Sequence, residues 1–206
     1  MRVTLVRHGA TRLSGQPVML GRLDLPLSPL GERQAVATAQ HLQDRPCDAL
    51  WCSPLARARM TADAIGEAMG QPVVVDRRLI EVDVGRVDGM HIPSLPDELL
   101  PWRARWQEKP GTTRFPGGET LTEVSARTWR ALEDLYDLYP DGDVIVVSHM
   151  FAISTLLTRV FSLKVAKFRT FAIDPCSITK VQIDPKGFRL LGSNDTCHLE
   201  GIRVGG

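Results

Sequence analysis

Short, continuously apolar runs alternate along this chain with segments in which apolar residues recur at helical spacing, and that alternation sets the fold expectation. Val3-Thr-Leu-Val6 is a β-rich run ending in Arg7-His8-Gly9; Asp48-Ala-Leu-Trp-Cys52 and Val73-Val-Val75 are two more, and Asp143-Val-Ile-Val-Val-Ser148 is the strongest. A run apolar at nearly every position reads as a strand covered on both faces, the usual state in a parallel sheet. Between the runs, Ala35, Ala39 and Leu42 repeat at helical spacing behind Ser28-Pro29, a capping residue followed by one suited to the first turn. Ser53-Pro54 repeats that signature and predicts a second helix, capped by Ser53 and reaching about Met69. Further helices are expected from about Thr120 to Tyr139 and from His149 to about Phe161. The tail from Thr170 to Leu191 reads as β-rich, with a turn at Asp184-Pro-Lys-Gly187. Strands alternating with helices predict the α/β class, as a three-layer α/β/α sandwich around a largely parallel sheet.

The segment from Gly85 to Glu119 departs from this pattern. Pro93, Pro96, Pro101, Pro110 and Pro116 rule out one long helix, leaving room for a short one around Trp102 to Trp106. It reads as a lid or cap in which substrate selection would reside. The plainer alternative for Trp102 and Trp106 is that they anchor the insertion to the core. At roughly 150 residues per domain, 206 residues predict one domain over 1–206, with the lid at about 85–119.

Charge narrows the partners. Lys and Arg total 25 against 24 Asp and Glu, a formal net charge of +1, so no global field draws in nucleic acid or an anionic membrane. Anion recognition must therefore be local. Cys47, Cys52, Cys176 and Cys197 form no CxxC pair and no Cys/His ligand spacing, which indicates neither a zinc site nor a disulfide scaffold but ordinary thiols in a reducing compartment. The run from Val3 to Val6 is too short for a signal-peptide core. Val144 to Phe161 is interrupted by Ser148, His149 and Arg159, which argues against a membrane span. The expectation is a soluble cytoplasmic protein.

Two of the strands end in histidine, His8 and His149, where an open α/β sheet binds its ligands, beyond the carboxyl ends of its strands. Arg57 falls in the first turns of the helix after Ser53-Pro54, and its side chain leans back toward an end that already favours anions. Arg59, two positions on, faces elsewhere. Together Arg7, Arg57, His8, His149 and backbone N–H groups near Gly9 describe a cluster of donors whose natural occupant is a phosphate dianion. Phosphoryl transfer in such a pocket can proceed without magnesium. A neutral imidazole in line with phosphorus attacks it, and His8, on the tight Arg-His-Gly turn, is the better candidate. A leaving alcohol needs a proton, for which Glu81, Asp83 and Asp88 are all available and between which residue chemistry does not choose.

The ordered motifs Leu5-Val-Arg-His-Gly-Ala-Thr11, Asp24-Leu-Pro-Leu-Ser-Pro-Leu-Gly-Glu-Arg-Gln-Ala35, Ser53-Pro-Leu-Ala-Arg-Ala-Arg-Met-Thr-Ala62, Leu79-Ile-Glu-Val-Asp-Val-Gly85, Pro116-Gly-Gly-Glu-Thr120, Val144-Ile-Val-Val-Ser-His149 and Asn194-Asp-Thr-Cys-His-Leu199 span nearly the whole chain. In this set the chain resembles the histidine phosphatase superfamily, in its phosphoglycerate-mutase-like, Arg-His-Gly branch. The resemblance implies that His8 is the phosphorylated nucleophile, Arg7 and Arg57 the phosphate clamps, His149 the second phosphate-pocket histidine, and Glu81 the proton donor and later the base for water. It implies no metal and no other cofactor. Ser14 stands where the family often has Asn, with shorter reach. Met150 stands where it often has Gly, adding a side chain at the pocket mouth. Of the other histidines, His41, His91 and His198 read as structural or solvated, His198 being the one whose segment resembles a motif near the site.

The expected activity is metal-independent hydrolysis of a small phosphorylated metabolite, with α-ribazole phosphate one specific substrate case and with homodimerisation compatible. A phosphoglycerate mutase is the alternative; such mutases usually carry longer insertions and a Trp-Asn pair after Arg-His-Gly, and neither is present. A non-catalytic sensor of phosphorylated metabolites is the alternative from another class.

Overall fold

The structure is a computed structural model that describes residues 1–202; residues 203–206 of the expected 1–206 domain lie outside the described residues. Six strands form one sheet: β1 (Arg2–Arg7), β2 (Ala49–Cys52), β3 (Val73–Val75), β4 (Asp143–Ser148), β5 (Ile178–Asp184) and β6 (Gly187–Asp195), in the spatial order β3-β2-β4-β1-β5-β6. The first four run parallel, and β5 joins β1 antiparallel before turning back into β6. The largely parallel α/β sheet is as expected. The β-rich tail resolves into the β5–β6 hairpin around Asp184 to Gly187, but Thr170 to Ser177 is not strand: a 3-10 turn over Val165–Thr170 and an irregular loop precede β5.

Strand pleating explains why β4 is apolar throughout. Val144 and Val146 face one cluster with Leu132, Leu135, Ile153 and Leu157, while Ile145 and Val147 face another with Leu42, Ala58, Ala62 and Ile65. Successive side chains point to opposite faces, so a strand covered on both must be hydrophobic at every position. The covering helices are α1 (Pro29–Leu42) and α2 (Ala56–Met69) on one side, α4 (Leu121–Leu138) and α5 (Met150–Val160) on the other; α3 (Leu100–Glu108) lies in the proline-rich segment. Ser28 caps α1 by accepting from Gly31 N–H, and Thr120 and Glu123 form a reciprocal capping box on α4. Ser53 does not cap α2. The helix opens two residues later than expected, with Leu55 at the cap position and no side-chain cap bond.

Residues 85–119 carry three short 3-10 turns, then α3, with irregular chain between and after them. They bury Val87, Leu95, Leu99, Trp106 and Phe115 in a third cluster shared with Val82, Val84, Phe151 and Phe168. Trp106 therefore anchors this segment, as the plainer reading held, and it also reaches the site described below.

One backbone crossing fixes the loop after β1. A Cβ on Gly31 would lie 2.0 Å from Ala10 O, and one on Gly9 2.5 Å from Gly31 O. Ser28 binds the same Ala10 carbonyl through its N–H at 2.9 Å and its hydroxyl at 3.1 Å. The first turn of α1 thus lies directly on Gly9-Ala10, next to His8. Gly31→Ala is expected to cost about 1–3 kcal/mol through overpacking of backbone against backbone, read as a lower urea midpoint with unchanged slope. A midpoint equal to that of the unsubstituted protein would mean that the two segments do not touch as described.

Candidate active site

Parallel pairing places both histidines side by side. Arg7 is in register with Ser148, so His8 and His149 leave the sheet on adjacent strands, and His8 N–H donates to Ser148 O at 3.0 Å. Their ring centroids are 5.0 Å apart. β2 pairs with β4 on its other side, which delivers the start of α2, and with it Arg57, to the same edge.

His8 is almost fully buried, and its Nδ1 lies 2.7 Å from Gly9 O. A carbonyl can only accept, so Nδ1 carries the proton and Nε2 presents its lone pair. Arg57 Nε donates to that Nε2 at 3.2 Å, while its two terminal nitrogens donate to Leu23 O and Gly21 O at 2.9 and 2.6 Å. Burial, reinforced by the charges of Arg57 and Arg7, holds the His8 ring well below its ordinary range. The result is a neutral imidazole in a cationic setting.

His149 is wholly buried, and burial with the neighbouring Arg57 and His8 lowers it in the same way. Ser53 Oγ, which accepts Leu55 N–H at 3.3 Å, lies 2.6 Å from His149 Nε2 and can donate to it, leaving the proton on Nδ1. Among the described residues, His149 Nδ1 and Arg7 Nε are buried donors without a protein partner, while Arg7 Nη1 donates to Ile173 O at 2.6 Å. Both are donors of the kind that an oxyanion engages, and Arg7 lines the cavity described below.

Of the three carboxylates that residue chemistry left open, the structure brings only Glu81 into the cavity. Asp83 pairs with Arg22 at 3.1 Å and accepts Gly85 N–H, and Asp88 accepts the N–H groups of Gly21 and Leu23. The Glu81 carboxyl accepts from Val82, Phe151 and Ala152 N–H, the last two in the first turn of α5. Burial raises its pKa nonetheless, against those bonds and the charge of Arg57. Arg127 holds the loop beneath it, donating to the carbonyls of Arg78, Ile80 and Glu81 and forking onto Glu119.

A cavity of about 410 Å³ opens over this group, within the range of about 300–1,000 Å³ usual for small-molecule sites. Arg7, His8, Ser14, Arg57, Glu81 and Met150 line it. Ser14 Oγ also accepts Thr11 N–H at 2.8 Å, closing the loop that forms the rim. Gly9 does not act as expected: its N–H donates to Thr61 Oγ1 at 3.1 Å, and its place is behind His8 against α1. Arg59 pairs with Asp63 away from the site. His198 stacks on His41, with ring centroids 5.0 Å apart, and His91 lies against Ser94, so none of the three joins the cavity. Among the described residues, the one His/Cys/carboxylate group close enough to share an ion, Asp195, Cys197 and His198, also lies outside it. No helix of the described residues is long and apolar enough to cross a membrane.

Sequence reasoning missed Ser53 and Thr61 as hydrogen-bond partners, Arg127 as the brace under Glu81, and Arg169 in the cavity wall. Arg127 carried a signal of a kind, a lone Arg between Ala126 and Thr128 on the inward side of α4, but a mid-helix arginine ordinarily reads as solvated.

Known proteins resemble this chain over nearly its whole length. The chain is 32% identical over 205 residues to a probable phosphoglycerate mutase GpmB of Cronobacter sakazakii, covering 97% of this chain and 95% of the relative. It is 31% identical over 199 residues to phosphoserine phosphatase 1 of Hydrogenobacter thermophilus, covering 97% and 94%. A mycobacterial glucosyl-3-phosphoglycerate phosphatase superposes with a TM-score of 0.81 at 31% identity, covering 95% of this chain and 99% of that one. The model of the histidine phosphatase superfamily, branch 1, matches residues 3–196. A family model that spans nearly the whole chain, with relatives of more than 30% identity over almost their full length, shows that the chain belongs to the histidine phosphatase superfamily.

Proposed function

We propose that this phosphoric monoester hydrolase passes the phosphoryl group of a small phosphorylated metabolite to His8 Nε2 and then to water, without a metal. One observation carries the assignment of roles: a neutral Nε2 lone pair shares a cavity with the Arg7 and Arg57 guanidiniums and with a buried carboxyl of raised pKa. Arg7, Arg57 and His149 Nδ1 stabilise the equatorial oxygens, Nε2 forms the bond to phosphorus, and Glu81 protonates the departing alkoxide. Glu81, now a carboxylate, then takes a proton from water as the water oxygen attacks phosphorus and the P–N bond breaks. His8 returns to its neutral form and Glu81 to its acid form. Ser14 and Met150 shape the entrance, and residues 85–119 act as the lid of a single domain, supplying Ile92 and Trp106 to the cavity wall. The reading carries a cytoplasmic location and permits a homodimer.

Phosphate release from a panel of phosphorylated metabolites, with His8→Ala as blank, tests it: release above the blank is expected for at least one compound, and none from any compound would overturn it. A second reading, phosphoglycerate mutase, is favoured by the 32% identity to probable mutases. Incubation with 3-phosphoglycerate and a trace of 2,3-bisphosphoglycerate separates the two, since a mutase yields 2-phosphoglycerate without releasing phosphate.

A further inference from the structure

The cavity wall holds a third guanidinium that the phosphoryl chemistry does not use. Arg169 lines the same cavity as His8, in the turn after Phe168. Its Cζ lies 5.0 Å from the Trp106 ring centre and 4.7 Å from that of Phe168. Both rings lie within cation–π reach of this exposed guanidinium, and among the described residues its N–H groups make no hydrogen bond, so they can form a forked bond. Among the described residues no carboxylate pairs with it. Its position relative to the reacting end follows from a chain of contacts. Phe151 N–H holds Glu81, the Phe151 ring packs 5.4 Å from Phe168, and Phe168 with Trp106 carries Arg169. Arg169 and the carboxyl that would protonate the leaving group are thus joined through Phe151 and Phe168 rather than in direct contact. Leu13, Val18, Met19, Ile92 and Met150 contribute apolar wall to the same cavity.

Resting on the phosphomonoesterase reading, we infer that Arg169 forms a second oxyanion subsite. The substrate it fits carries a carboxylate or a second phosphate at the end of its leaving group. Phosphoserine and phosphoglycerate esters have that form; α-ribazole phosphate, with one phosphate and no carboxylate, does not.

The test uses pairs of ligands that differ only in the second anion: 3-phosphoglycerate against glycerol 3-phosphate, O-phosphoserine against O-phosphoethanolamine, and propane-1,3-diol bisphosphate against its monophosphate. Calorimetric Kd values are measured in the His8→Ala background, where nothing turns over, with and without Arg169→Met. Loss of a charge-assisted fork is expected to weaken the doubly anionic member of at least one pair about ten- to a hundredfold, with the singly anionic partner changed less than about twofold. Arg169→Lys should recover part of the loss. The pair that responds distinguishes carboxylate from phosphate. In the active enzyme the same substitution should raise KM and leave kcat unchanged, as for an interaction equal in ground and transition states. Equal weakening of both members would assign Arg169 to packing alone, and no weakening of any would leave it a surface charge; either overturns the subsite. Absence of turnover with intact Arg169 discrimination would instead remove the phosphatase reading and leave the subsite standing.

Discussion

His8→Ala is expected to lower kcat by roughly four orders of magnitude or more, the scale on which loss of a covalent nucleophile is felt. The magnitude follows from what stays behind. In the proposed mechanism Arg7, Arg57 and the His149 Nδ1–H would still bind and polarise the phosphoryl group, so affinity should fall far less than turnover, but among the described residues no other imidazole lines the cavity. Protonated guanidiniums cannot attack phosphorus, and the wholly buried His149 turns its Nε2 to Ser53 and is not among the residues that line the cavity. His8 is buried, so truncation leaves a void; His8→Asn, which retains more of the ring's volume, serves as the second variant, and both should melt cooperatively. Rapid mixing with a labelled phosphomonoester provides an independent readout. An acid-labile, base-stable phosphoenzyme should form with the parent protein and be absent from both variants. Turnover preserved in a folded His8→Ala protein would remove the phosphohistidine route.

The pH dependence has a definite sign. Because burial and two guanidiniums depress the His8 pKa, its nucleophilic form persists below the ordinary imidazole value of about 6.5 and is lost only as pH falls through the depressed value. Glu81 moves the other way: its acid form persists above the ordinary carboxyl value of about 4.3 and is lost as pH rises through the raised one. The two shifts run toward each other and so raise the fraction of protein in which His8 is neutral while Glu81 still holds a proton.

How much of this was legible in the chain depended on how each residue reaches the site. His8 and His149 were readable because they end two strands that are apolar at nearly every position, and parallel strands in register bring equivalent ends together. Arg57 was readable because it follows a third such strand within a few residues, even though Ser53, the supposed cap, turned out to serve His149 instead. Glu81 was not separable from Asp83 and Asp88 on residue chemistry, because all three sit in one irregular loop and only long-range partners tell them apart: Arg22 and Gly85 take Asp83, Gly21 and Leu23 take Asp88. Arg169 was invisible for a similar reason. It lies on a 3-10 turn without periodicity, and its role depends on Trp106, 63 positions earlier in the numbering. The Gly9 N–H, counted among the phosphate donors, goes to Thr61 instead, and the proximity of α1 is what requires a residue without Cβ there.

Glu81→Gln is expected to reduce hydrolysis of alkyl phosphates by roughly a hundred- to ten-thousandfold, the range over which a positioned proton donor acts. The leaving group should decide how the loss is distributed. An alkoxide cannot depart without a proton, so with glycerol 3-phosphate the first step itself becomes slow and no phosphoenzyme accumulates. A nitrophenolate can depart unprotonated, so p-nitrophenyl phosphate should still phosphorylate His8 rapidly. The second step then lacks the carboxylate that would take a proton from water, and the phosphoenzyme should build up. Stopped-flow measurement would read this as a burst of nitrophenol near one equivalent of enzyme, followed by slow release of phosphate. The same change should flatten the high-pH side of the kcat/KM profile for alkyl esters, because the group whose deprotonation sets that limb is gone. Glutamine also sets an NH₂ near N–H donors of Val82, Phe151 and Ala152 that the carboxylate now satisfies, so some stability is lost and the comparison belongs well below the melting temperature. If both kinds of ester slowed equally and no burst appeared in a folded protein, Glu81 would be holding the first turn of α5 against the 81–82 loop, and the proton would have to come from solvent.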